Sequence, residues 1–229
     1  MKTSCVLIPA YSSNSHFDCL NQNVTNQIKK NNNWEQSLIY AINRNKGIFD
    51  KVILINHLTY FNQVNTLIKK NGILNYELIV RACPFNSTAD FAFASFEVDP
   101  DEILFVSETT KSLLTNREYL LMIKEVKELA AKGSIIRIDI EANSNSKNDF
   151  KKGKHKIYCF KAGTFLEELF KYDKTVFQTV KRAHFKKSNS FINELLDELI
   201  PSHSVEDLIF KKSNLGRIVK YKKNNLVIQ

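Results

Sequence analysis

Short apolar runs rich in β-branched residues alternate with segments of helical period along most of this chain, and that alternation limits the folds open to it more than any other feature. Residues 5–10 (CVLIPA) are apolar and are closed by the polar stretch Tyr11-Ser12-Ser13-Asn14-Ser15, which marks a buried strand entering a loop. Trp34, Leu38, Ala41 and Ile42 then share one face of a helix over 34–44, and 51–56 (KVILIN) returns to strand character. Phe61, Val64, Leu67 and Ile68 predict a helix over 60–71, with Gly72 beyond it as the C-cap. A short strand follows at 78–80, a helix through 89–96 and a strand at 102–106 (EILFV). A long amphipathic helix over 115–132, closed by Gly133, leads to a strand at 134–140. Parallel neighbours need crossover helices, so this rhythm predicts an α/β protein with a Rossmann-like, mostly parallel, doubly wound sheet. Ligands of such sheets lie beyond the carboxyl ends of the strands, which singles out the loops after Pro9, Asn56, Val80 and Val106.

From 142 to 156 the composition shifts to Asn, Ser, Lys and Gly, and the segment reads as a flexible polar excursion. The sheet is expected to resume at 157–161. A helix over 164–171 follows, capped by Thr164 with Glu167 three residues on. A helical hairpin is expected over 173–187 and 190–199, then weak strands at 218–221 and 226–228. With 229 residues, 43% of them hydrophobic, the chain can bury one substantial core, and a single domain over 1–229 is expected.

Several function classes fall away on composition. No apolar run reaches the ~18 residues of a membrane span, and Met1-Lys2-Thr3-Ser4 leads into a strand instead of a signal peptide, so a cytoplasmic protein is expected. Cys5, Cys19, Cys83 and Cys159 are far apart and no two histidines have HxxxH spacing, which argues against a metal held by soft ligands. The formal charge of +9 suits an anionic partner, yet the lysines are spread along the chain as a solvated surface would spread them. Lys181-Arg182-Ala183-His184-Phe185-Lys186-Lys187 mixes basic and aromatic residues as a nucleic-acid surface does, but a plain helical surface is the simpler reading and nucleic acid is not the expected partner. Ser12, His16 and Asp18 lack a nucleophile elbow and do not make a hydrolase.

The order of segments resembles the nucleotidyltransferase domain of bacterial mannose-1-phosphate guanylyltransferases, of the sugar-nucleotide pyrophosphorylase family, along nearly the whole chain. Val6-Leu7-Ile8-Pro9-Ala10-Tyr11-Ser12-Ser13-Asn14-Ser15 stands where that family has a strand and a glycine-rich loop with an arginine. Ser37 to Arg44 matches its helix with a terminal arginine, and Val52 to His57 its next strand. Cys83-Pro84-Phe85-Asn86-Ser87-Thr88-Ala89-Asp90 is similar to "EPxGRNTAPA", and Asp99 to Thr109 to "DPxxLLVLPSDH". Phe160 to Leu169 resembles the segment after "WNSGMF", and Ser204 to Lys212 resembles "SIDYAVMEK".

The resemblance implies the nucleotide-diphospho-sugar transferase fold and a reaction joining a sugar phosphate to the α-phosphate of a nucleoside triphosphate. It places nucleotide contacts at Ala10, Ser12, Ser13, Ser87 and Thr88, sugar-side contacts at Lys154, Lys156 and Glu206, and a metal carboxylate at Glu108. Departures cluster at these positions. The loop glycines fall on Ala10, Tyr11 and Ser13, the loop arginine on Ser15, and the nucleotide-contacting arginine on Asn86. No second metal carboxylate appears before Gln229, and Lys211 reverses the charge of the family's glutamate. A catalytically degenerate protein with a binding or regulatory role is expected, taking a nucleotide or sugar phosphate and acting with a protein partner or as a homo-oligomer. The alternatives are a divergent active nucleotidyltransferase, which would need Mg²⁺, and a nucleic-acid-binding α/β protein.

Overall fold

The computed structural model describes residues 1–10, 33–83, 87–109, 114–140, 155–222 and 225–228. The first apolar run becomes β1 (Thr3–Ile8), buried from end to end, as a strand with neighbours on both sides and helices on both faces must be. After it come α1 (Trp34–Asn45), β2 (Lys51–His57), α2 (Phe61–Lys70), β3 (Glu77–Arg81), α3 (Ser87–Phe96), β4 (Ile103–Glu108), α4 (Asn116–Ala131) and β5 (Ile135–Ile140). The chain continues through β6 (His155–Lys161), α5 (Ala162–Tyr172), α6 (Lys174–Phe185), α7 (Glu194–Glu198), a π-helical turn at Glu206–Phe210, β7 (Gly216–Lys222) and β8 (Asn225–Ile228).

The eight strands among the described residues join one sheet in the order β3-β2-β1-β4-β6-β5-β7-β8. Strands β1 to β5 and β7 run one way, whereas β6 is antiparallel to β4 and β5, and β8 to β7. The mostly parallel sheet is therefore present, with two reversed strands. The sequence between β5 and β6 offers no apolar face that could cover the sheet as a crossover helix, and β6 returns antiparallel. Of the polar excursion expected over 142–156, His155 and Lys156 belong to β6, and the rest falls in 141–154, outside the described residues.

Alternate residues of each strand feed two cores. On one face Val6, Ile8, Leu104, Val106, Tyr158 and Phe160 pack beneath α3, α5 and α6, with Phe91 stacked among Tyr158, Phe160 and Phe165. On the other, Leu7, Leu54, Phe105, Ile138 and Cys159 pack against α1, α2 and α4. Each such side chain withdrawn from water contributes about 1.5–3 kcal/mol, so this two-sided burial dominates the stability of the sheet.

The caps explain where helices begin and end. Thr115 and Glu118 form a reciprocal capping box on α4, and Gly72 and Gly133 take positive φ just past α2 and α4. Thr164 does not cap α5. That helix starts at Ala162, because the N–H groups of Ala162 and Gly163 donate to the carbonyls of Glu102 and Pro100 at 3.0 and 2.8 Å, so the chain entering β4 serves as the cap. Gly163 is needed there, since a Cβ would sit 3.0 Å from Pro100. The second helix of the expected hairpin is also cut back, from 190–199 to α7. The preceding residues instead cover the open edge of β3: Val80 N–H donates to Ser190 O at 2.7 Å, and Ile192 N–H to Val80 O at 2.9 Å.

A buried ion cluster ties that edge to the helices. Arg81, at the end of β3, donates to Asp197 of α7 through Nε and a terminal nitrogen at 3.0 and 2.7 Å, and through its other terminal nitrogen to Asp90 of α3. Asp197 also accepts from the N–H groups of Ala82 and Cys83, both at 2.9 Å, so it fixes the chain leaving β3. Removing one partner strands a buried charge and orphans two backbone donors. We expect Asp197→Ala to lower unfolding free energy by about 3–5 kcal/mol in urea titration, and Thr115→Ala, which loses only an exposed cap, by about 1 kcal/mol.

Candidate functional site

The chain leaves β1 toward β2 and returns on its other side as β4, which puts the topological switch point between the carboxyl ends of these two strands. Hydrogen bonds stitch the two ends together there. Thr109 N–H donates to Ile8 O at 3.0 Å, and Ala10 N–H to Thr109 Oγ1 at 3.2 Å. Ala10 is thus placed at the crevice, while Ser12 and Ser13 lie outside the described residues, as does Lys154. Ser87 opens α3, and its hydroxyl accepts from Val205 N–H at 3.2 Å. Thr88 is fully buried beside it, and its hydroxyl has no hydrogen-bond partner among the described residues.

Glu108 ends β4, 7% exposed. It sits in register beside Ile8 of β1, and the β4–β6 register that pairs Val106 with Tyr158 and Ser107 with Ile157 sets it opposite Lys156 at its next step. Lys156 in turn pairs with Asp139 of β5, and Asp139 with Lys220 of β7. Strand alternation puts Glu108, Lys156, Asp139 and Lys220 on one face, that of Val106, Tyr158 and α3, because their neighbours Ile157, Ile138 and Val219 point into the opposite core. Four strands therefore display acid, base, acid, base in a row across the carboxyl end of the sheet.

Arg137 and Glu206 extend this row. Arg137 donates to Asp139 Oδ2 at 3.0 Å and pairs with Glu206, which begins the π-helical turn. Tyr158 donates its hydroxyl to the same Glu206 at 2.6 Å, and Lys156 Nζ lies 3.9 Å from it. Burial and the Glu206 charge push the Tyr158 phenol well up, so it stays a donor. Burial opposes the charge on Arg137, but its bonds to Asp139 and Glu206 prevail and raise its pKa. The structure thus brings together Glu108, Lys156 and Glu206 of the residues expected from sequence. Arg137, Asp139 and Lys220 join them without any motif. For Arg137 and Asp139 the signal was the alternation in Ile135-Ile136-Arg137-Ile138-Asp139-Ile140, where two charges interrupt one face of an apolar strand.

A second polar cluster lies around Arg44. Its guanidinium stacks 3.8 Å over Tyr119 and donates to the carbonyls of Leu114 and Thr115 at 3.1 and 3.2 Å, anchoring the start of α4. His155, Ser107 and Glu108 border the same cavity of ≈ 30 Å³, too small for a sugar. The terminal arginine that the resemblance marked is accordingly a structural clamp. Arg44 and burial also act on His155: burial first, then the guanidinium charge, hold its pKa at about 4.

Because the folded imidazole takes a proton less readily than an unfolded one, its contribution is complete above about pH 6.5 and lost as pH falls toward 4. We expect stability of the native protein to fall across that window with a slope of up to about one proton, and His155→Gln to flatten it in urea titrations at stepped pH.

No family model matches the sequence, and a search of curated proteins finds no match. Solved structures do match. Mannose-6-phosphate isomerase of Helicobacter pylori superposes with a TM-score of 0.73 at 16% identity, over 96% of this chain and 97% of that one. Mannose-1-phosphate geranyltransferase of Thermus thermophilus gives 0.63 at 10% identity, over 100% and 76%. CMP:2-keto-3-deoxy-manno-octonic acid synthetase, solved with CTP, gives 0.51 at 9%, over 96% and 90%. At these identities the likeness is one of fold. The protein has the α/β fold of the nucleotide-diphospho-sugar transferases.

Proposed function

We propose that the protein binds a sugar phosphate or nucleotide at the carboxyl end of its sheet and does not perform nucleotidyl transfer. Joining a sugar phosphate to a nucleoside triphosphate depends on positioning and on compensating the triphosphate charge, which the resembling guanylyltransferases achieve with a glycine-rich loop, an arginine and Mg²⁺. The residues of this chain do not fit that metal. Glu108 stands at one carboxylate position, but Lys156 faces it across the β4–β6 register, and the nearby Asp139 and Glu206 are held by Arg137. Among the described residues, no group of three or more His, Cys, Asp or Glu side chains is placed to hold a metal ion.

The hold of Arg137 on Asp139 and Glu206, with Lys156 set opposite Glu108 by the strand register, carries the reading. What remains is a binding surface: Lys156 and Lys220 offer ammonium donors, Glu108 accepts hydroxyl protons, and Thr88 adds a buried hydroxyl. Side chains from Ala10 to Ser15 replace the bare backbone that a triphosphate cradle needs.

The test is an assay of GTP and mannose 1-phosphate with Mg²⁺. We expect no pyrophosphate above the blank, together with a thermal shift of about 2–4 °C for each kcal/mol of ligand linkage. Pyrophosphate release that depends on Mg²⁺ and disappears in Glu108→Ala would overturn the proposal.

A further inference from the structure

The row across the sheet end says more about the ligand, on the premise that the site binds one as proposed above. We infer that this site works without a divalent cation, its own lysines standing in for the metal, and that it takes a sugar monophosphate in preference to a nucleoside triphosphate.

Three observations lead there. First, the order Glu108, Lys156, Asp139, Lys220 is set by backbone register and not by flexible side-chain contacts, so each carboxylate has a cation on an adjacent strand at the same height. Mg²⁺ needs hard oxygens in near-octahedral array and is usually held by one or two carboxylates plus ligand phosphate. Arg137, paired with Asp139 and Glu206, and Lys156, 3.9 Å from Glu206, stand where such an ion would gather its ligands and repel it. Second, the cations are held in place. Lys156 has only 16% of its side chain exposed, beside Glu206, and Arg137 is locked between two acids. A phosphate that reaches them meets donors that lose little further freedom on binding.

Third, Glu108, Asp139 and Glu206 are matched in number by Lys156, Lys220 and Arg137, so the row has no excess charge to offset a triphosphate. It does present alternating donors and acceptors along one line, which is what the hydroxyls and single phosphate of a sugar monophosphate require. Carboxylates accept from hydroxyls, and ammonium groups donate to ring, hydroxyl and phosphate oxygens. Thr88, on the helix over this same face, adds a buried hydroxyl with no partner among the described residues.

The test is calorimetry on the full chain with mannose 1-phosphate and with GTP, each in EDTA and in Mg²⁺. Mannose 1-phosphate should bind with the same affinity in both buffers, within about twofold, and GTP should bind at least about tenfold more weakly. Lys156→Gln and Lys220→Gln should each weaken mannose 1-phosphate by about tenfold or more. Lys220→Gln, nearer the sheet edge, reads the same effect if Lys156→Gln fails to fold. Paramagnetic resonance of added Mn²⁺ gives a readout that needs no organic ligand. The native protein should leave millimolar Mn²⁺ free, and Lys156→Gln should bind it. A requirement for Mg²⁺, Mn²⁺ bound by the native protein, or unchanged affinity in both lysine variants would overturn the metal-free inference while leaving ligand binding intact. Absence of binding by either compound in any buffer would overturn the proposed function and this inference with it.

Discussion

A carboxylate withdrawn from water must keep a positive charge beside it or give up its own, and Asp139 and Glu206 at the carboxyl end of this sheet meet that constraint with Arg137 of the chain itself. Glu108 and Asp139 are 7% and 4% exposed, and Glu206 is bonded to both Arg137 and Tyr158. Guanylyltransferases of the kind the sequence resembles meet the corresponding demand with a divalent ion and a charged substrate. Here part of the compensation is built into the chain, and on the proposed reading it takes the place of a metal and a triphosphate.

The reversal of β6 makes this possible. In a strand parallel to its neighbours, the first residues would lie at the amino end of the sheet, far from the switch point. Running antiparallel between β4 and β5, β6 delivers its opening residues, His155 and Lys156, to the carboxyl end. Lys156 then falls between two acids on one face, while His155 is turned to the other face, toward Arg44. The same strand therefore supplies a cation to one polar cluster and a neutral imidazole to the other, and only alternation separates them.

The sheet was legible in the sequence because β1 to β5 obey the period rules without conflict: apolar runs are strands, runs of period 3.6 are helices, and Gly72 and Gly133 end helices where expected. Misreadings occur where tertiary contacts override local signals. Thr164 looks like a cap, yet the carbonyls of Pro100 and Glu102 take that role earlier. Ser190 to Ile192 look helical, yet the unpaired edge of β3 claims their backbone. The direction of β6 could not be read from its own residues, since an apolar run carries no sign of which way it pairs. For the site, Glu108, Lys156 and Glu206 were visible through family resemblance. Arg137, Asp139 and Lys220 were not, because their meaning comes from register across strands distant in sequence.

If cations of the chain stand in for a metal at the sheet end, a crystal of the protein grown with mannose 1-phosphate in chelated buffer should show phosphate density over the ends of β4 and β6, within hydrogen-bond reach of Lys156 and with no ion between ligand and protein. A metal bridging the phosphate to Glu108, or the sugar phosphate bound on another face of the molecule, would contradict it.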